Sequence, residues 1–293
     1  VLDRERLDLV LADVDGVASV RLLLQDVTPG NYIRLTDPAY SANWTAVPMQ
    51  SIGPDLYAAD VPAHMRVHRH LIRYRIEATD RGGRTVTAPY WEDPQPNFAL
   101  YVYNGVPSWG GAITPGATGW KGVWQTYDFN QMRPMAVYQL LAVGSDVADA
   151  QHIPDSRQSG YTGNDYPWSG TLVYNGVVYD HIGFRARGGL RRYATGKNNW
   201  KFNFRRGHRF QAYDDYGVPY PVKWDKLVFS SVLQHANRFY RGEQGMFEAI
   251  SYRLFNLTDV PASTTHFVHF RVVDQPDEQT SNQYNSDFWG LYL

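Results

Sequence analysis

Cysteine is absent from this chain of 293 residues. Disulfides, thiolate nucleophiles and cysteine-built zinc centres are therefore excluded. No run approaches the roughly 18 apolar residues of a membrane-spanning helix. Charge of one sign is not in excess either: the formal net charge is −1. No whole-molecule field draws the chain to nucleic acid, which is not an expected partner. Gly-x-x-x-x-Gly-Lys-Ser/Thr, Gly-x-Ser-x-Gly and His-Glu-x-x-His are also missing, so the common phosphate-loop, serine-hydrolase and metalloprotease signatures do not apply. A glycoside hydrolase needs a carboxylate pair across a cleft, and no residues nominate one.

The chain opens on Val1 without an apolar signal segment and closes on FWGLYL, an apolar run that reads as a strand cut short. The expectation is an internal piece of a longer protein.

What is plentiful is aromatic. Phe, Trp and Tyr make up 15% of the residues, with 21 Tyr and 9 Trp. Such side chains suit β-rich cores and contacts with proteins or sugars alike. The fold class expected is mainly β with some α. Residues 1–104 hold short alternating runs between turn signals, among them VASVRLLLQDV and HRHLIRYRIEATD. In the latter, Ile72, Tyr74 and Ile76 alternate with Arg73, Arg75 and Glu77, the pattern of a half-buried antiparallel strand. Five or more such strands suggest an immunoglobulin-like (Ig-like) β-sandwich, similar to those of bacterial surface proteins. Residues 105–119, GVPSWGGAITPGATG, read as a linker. A second domain is expected over 120–293. Its runs include MAVYQLLAV, a hairpin turning at Asn175-Gly176, and WKFNF, where Trp200, Phe202 and Phe204 share one face and Lys201 and Asn203 the other. Met246, Phe247, Ile250, Leu254 and Leu257 keep a helical period, predicting a helix packed on the sheet.

Cations gather in one place. Between Arg185 and Lys226 stand eleven Lys or Arg and three Asp. It overlaps GFRARGGLRRYATGKNNWKFNF, residues 183–204. On residues alone this is either a solvated hairpin or a place that holds phosphate. Gly188-Gly189 is equally a plain turn, Lys201 a solvated strand lysine and Glu248 a solvated helix carboxylate. Weaker candidates are His64, His68 and His70, which lack a third metal ligand in register, and Asp13-x-Asp15-Gly16, which lacks the rest of a calcium loop. Asp214-Asp215 reads as an Asx turn. No metal ligands are nominated.

Four motifs, taken in order, resemble the spore-coat-protein-H-like (CotH) kinase family. They are VVYDHIGFRARG, KNNWKFNF, MFEAISYRLFNLTDVPA, and THFVHFRVVD followed by GLYL, spread from Tyr138 to Leu293. The resemblance implies an α+β protein-kinase-like N-terminal lobe, a partial domain, with ATP and Mg2+ as cofactors and a protein Ser/Thr as acceptor. It implies that Gly188 and Gly189 form a phosphate-facing turn, with Lys201 the phosphate cation and Glu248 its helix carboxylate. Arg187 and Lys197 flank the turn as further phosphate contacts. Catalytic residues are expected beyond Leu293. The alternative is a non-catalytic surface or cell-wall protein using the same scaffold, with surface or carbohydrate contacts. The glycine turn departs from the family, carrying Gly189-Leu190-Arg191 where members often have Asn-Ser-Ser.

Overall fold

A computed structural model describes residues 6–14, 16–151, 167–187, 197–214, 216–232, 243–278, 283 and 286–293. The described chain is mainly β, as expected.

The first half supplies strands β1 (Arg6–Val10), β2 (Val17–Val27), β3 (Thr45–Pro48), β4 (Gln50–Gly53), β5 (Leu56–Asp60), β6 (Leu71–Asp80), β7 (Thr85–Ala88) and β8 (Phe98–Tyr101). They form two antiparallel sheets. One is ordered β1-β5-β4; the other is ordered β3-β2-β6-β7, with β8 also on β6. Alternation along β2 sends Val20, Leu22 and Leu24 inward, where Ile72, Ala59, Leu7 and Leu9 meet them from both sheets. Each fully buried aliphatic side chain contributes about 1.5–3 kcal/mol.

The stretch expected as a linker carries β9 (Trp109–Gly111), which pairs with β10 (Gln125–Tyr127).

The second half supplies β11 (Ala136–Ala142), β12 (Trp168–Tyr174), β13 (Val177–Arg187), β14 (Asn199–Asn203), β15 (Lys226–Phe229), β16 (Val268–Val273) and β17 (Phe288–Tyr292). They form one sheet in the order β15-β14-β13-β12-β11-β16-β17. The β11–β16 pair is parallel; the other pairs are antiparallel. Between β12 and β13 the chain turns at Asn175-Gly176, both with positive φ (51° and 73°), the geometry that a two-residue hairpin needs.

This sheet curls. Phe229 on β15 and Phe270 on β16 are several strands apart in the sheet, yet their ring centroids lie 5.2 Å apart. Trp200, Phe202 and Tyr292 complete the same aromatic interior. Just past the two edge strands, Ser230 and Leu293 exchange backbone hydrogen bonds of 2.8 and 3.1 Å. The edges therefore meet, and backbone groups that an open sheet would leave unpaired are satisfied there.

The outer face of the curled sheet packs against the first half. Leu141, Val173 and Val273 meet Val27, Tyr32, Leu71 and Tyr101 in one buried cluster. At its edge Asp180, fully buried, receives Arg73 Nε at 2.7 Å and Nη2 at 3.1 Å. Asn97 Nδ2 (2.9 Å), Thr171 Oγ1 (2.6 Å) and the His181 amide (2.8 Å) also donate to it. Arg34–Asp146 and Arg69–Asp287 are further ion pairs across the same boundary.

That boundary corrects the reading of β6 as a half-buried strand. Leu71, Ile72 and Arg73 are all 0% exposed. Ile72 faces the core between the two sheets of the first half, while Leu71 and Arg73 face the second half. A second correction concerns the helix Glu243–Leu257. It forms where the period predicts it, but its apolar stripe is not packed on the sheet: Met246, Phe247, Ile250, Leu254 and Leu257 are all at least half exposed.

Candidate phosphate site at the seam of the curled sheet

The site is built where the curled sheet closes. Strand β13 ends at Arg187, and β14 begins beside it, with Arg187 opposite Asn199. Gly188 and Gly189, expected between them, lie outside the described residues, as does Asp215.

Lys197 enters just before β14. Its Nζ donates to the Leu291 carbonyl and lies 4.3 Å from the centroid of the Tyr292 ring. The ammonium is held against an aromatic face, an arrangement that favours a cation. Burial acts the other way and pushes the Lys197 ammonium down to about 8. Room for this lysine comes from Gly290. A Cβ there would stand 3.2 Å from Lys197 Cε, and its φ of 126° is one that side chains other than hydrogen rarely allow. Lys197 and Gly290-Leu291-Tyr292, two of the sequence motifs, thus meet in space.

A cleft of about 400 Å3 opens beside this seam. Arg187 and Glu248 both line it, together with Lys226, Ser230, His266 and Leu293. Its size falls in the range of small-molecule sites, and its floor includes the aromatic rings of Tyr138, Phe210 and Phe229. Glu248 Oε2 accepts a hydrogen bond of 2.8 Å from Ser230 Oγ, which ties the helix to the end of β15.

Lys201 is placed differently. On β14 it stands between Arg185 and Val228, on the face opposite Trp200 and Phe202. The alternation read from the sequence puts it there correctly. Because the aromatic face turns inward, however, Lys201 lies on the outer face and does not line the cleft with Arg187 and Glu248. Glu248 has Ser230 as its hydrogen-bond partner, and among the described residues no ion pair joins it to Lys201.

The minor candidates have other partners. His68 accepts from the Asn104 amide at 3.0 Å, and His70 Nδ1 meets Asp26 at 2.9 Å. Asp214 accepts from the amides of Tyr216 (2.9 Å) and Val218 (2.8 Å), the Asx turn that the sequence suggests. Lys226 and Ser230 were not singled out by sequence. Only the curl of the sheet, which brings the end of β15 against Leu293, reveals them.

Compared with known protein families and with curated proteins, the sequence matches none.

Proposed function

We propose that residues 120–293 form the nucleotide-facing lobe of a CotH-type atypical kinase, which transfers phosphate from ATP to Ser or Thr of a protein. An Ig-like module over residues 1–104 precedes it. The observation that carries this reading is the seating of Lys197 on Gly290-Leu291-Tyr292. Two motifs of the resemblance, 94 residues apart, converge on one point.

Phosphoryl transfer asks the protein mainly to position phosphates and neutralise their charge. Arg187 and Lys197 flank Gly188-Gly189 in the sequence, and Arg187 lines the same cleft as Glu248. In this reading Lys197, rather than Lys201, is the lysine nearer the phosphates: neither lines the cleft, but Lys197 is held at the seam that the cleft adjoins at Leu293, and Lys201 is on the outer face. A nucleotide would lie with its phosphates toward Arg187 and Lys197. Tyr213, Trp224 and Tyr252, which also line the cleft and are only partly buried, offer a surface for the base. ATP and Mg2+ are the cofactors of the proposal. The catalytic base and magnesium ligands are not assigned to residues of this chain. The protein acts in this reading outside the cell or at its surface. Among the described residues no helix is long and apolar enough to cross a membrane.

Titration of this chain with a fluorescent ATP analogue and Mg2+ tests the reading. Weak, saturable binding that ATP displaces and that Arg187→Ala reduces is expected. An analogue that does not bind, or that binds equally to the Arg187→Ala protein, contradicts it.

A non-catalytic binding protein is the second reading. It is favoured by one specific observation, a cleft with exposed aromatic side chains far along the chain from the seam, in the first half.

A further inference from the structure

Strand β7 lies at the edge of its sheet, and the chain leaves it through Pro89, Tyr90 and Trp91. Tyr90 is 78% and Trp91 82% exposed. Leaving two adjacent large aromatics in water forgoes burial worth a few kcal/mol, so such groups mark contact sites. Both line a cleft of about 670 Å3, whose walls include Thr85, Thr87, Ser41 and Arg75.

The polar chemistry of this cleft is specific. Arg75 stacks its guanidinium 4.2 Å from the Trp44 ring centroid and 5.1 Å from that of Tyr40. Its Nε donates to the Pro96 carbonyl at 2.7 Å and its Nη2 to the Tyr40 hydroxyl at 2.9 Å. These partners are neutral, and among the described residues Arg75 forms no ion pair. The carboxylate that also lines the cleft, Glu77, is instead paired with Arg21 across the β2–β6 ladder. The cleft therefore presents a fixed, rigidly held cation beside two aromatic plates and three hydroxyl side chains.

A sugar ring has an apolar C–H face and a rim of hydroxyls. It matches an aromatic plate flanked by hydrogen-bonding groups. A carboxylate on that sugar matches the arginine, whose Nη1 edge is not used by the Pro96 and Tyr40 contacts and can donate to it. We propose that this cleft binds an acidic oligosaccharide, a chain of uronic acid residues, with Trp91 and Tyr90 stacking on sugar rings and Arg75 holding a carboxylate. The site is separate from the seam, and the proposal does not rest on the kinase reading.

The test uses the whole chain. Oligogalacturonate and a neutral cello-oligosaccharide of equal length are titrated in parallel, read by tryptophan fluorescence and calorimetry. Oligogalacturonate is expected to bind and the neutral chain to bind at least about tenfold more weakly. Trp91→Ala, a change at an exposed position, is expected to weaken oligogalacturonate binding about tenfold or more. Affinity is also expected to fall as salt is raised. Three results would overturn the proposal: no binding of oligogalacturonate, equal binding of both sugars, or binding that Trp91→Ala leaves unchanged. A circular-dichroism melt of the variant matching the parent shows that lost binding is not lost folding.

Discussion

Lys197 rests on Tyr292: its Nζ is 4.3 Å from the ring centroid, and the next carbonyl back along the chain, that of Leu291, accepts its hydrogen bond. This contact joins the start of β14 to the end of β17. It bridges the seam of the curled sheet, as the Ser230–Leu293 backbone pair closes it along the edge.

Lys197 sets a pH signature. Its pKa falls from 10.5 to about 8 through burial. Between those values the unfolded chain holds the proton that the folded chain has released, so stability rises with pH across that window. Below about pH 8 both states are protonated and the burial cost of the charge is fully present. Urea titrations of the parent and Lys197→Met from pH 7 to 10.5 check this (the window follows from the two values). The parent should gain on the variant as pH rises; parallel curves would refute it.

Gly290 is the companion position. Gly290→Ala forces a Cβ against Lys197 and a side chain onto a φ of 126°. A loss of about 1–3 kcal/mol is expected. Equilibrium denaturation measures it, and a neutral result would mean that Lys197 is free to move aside.

Arg73 and Asp180 are both fully buried, and they join the two halves. Arg73→Met leaves the Asp180 carboxylate in the interior without its cation and should cost about 3–5 kcal/mol. Replacing both partners, Arg73→Met with Asp180→Leu, should cost less than the two single changes added together. A double-mutant cycle by denaturation decides this. Additivity would show that the pair is not coupled.

Acid should destabilise the fold before Asp180 itself titrates. Arg73 and its other donors hold the Asp180 carboxyl far below its ordinary range against the cost of burial. Burial pushes His181 down to about 4, and His269 likewise. Each is neutral when folded and takes up a proton when unfolded between about pH 4 and 6.5, so stability falls as pH drops through that window. His181→Asn should flatten part of that slope. Asparagine tolerates the positive φ of 54° that His181 holds. An unchanged slope would assign the effect elsewhere.

Local chemistry was legible in the sequence, and closure was not. Asn175-Gly176 turns as its residue types require, and the alternation Trp200-Lys201-Phe202 places each side chain on the proper face. Which face is inside a curled sheet is a property of the whole sheet. The alternation alone therefore does not say whether Lys201 reaches the cleft; the curled sheet sets it on the outer face. Arg73 and Asp180 lie 107 positions apart. Nothing local to β6 shows that its arginine face is covered by another sheet. The helix Glu243–Leu257 gives the converse case. Its apolar period is plain in the sequence, but the period shows only that a face is apolar, not that anything described covers it.

The most direct test of the kinase reading is chemical labelling with an acyl-phosphate derivative of ATP, which transfers its acyl group to a lysine amine beside the bound phosphates. After digestion, mass spectrometry locates the modified lysine. The account predicts acylation of Lys197 that excess ATP prevents, with Lys201 on the outer face unprotected by ATP. Labelling of Lys201 in an ATP-protected manner, or no ATP-protected lysine at all, would contradict it.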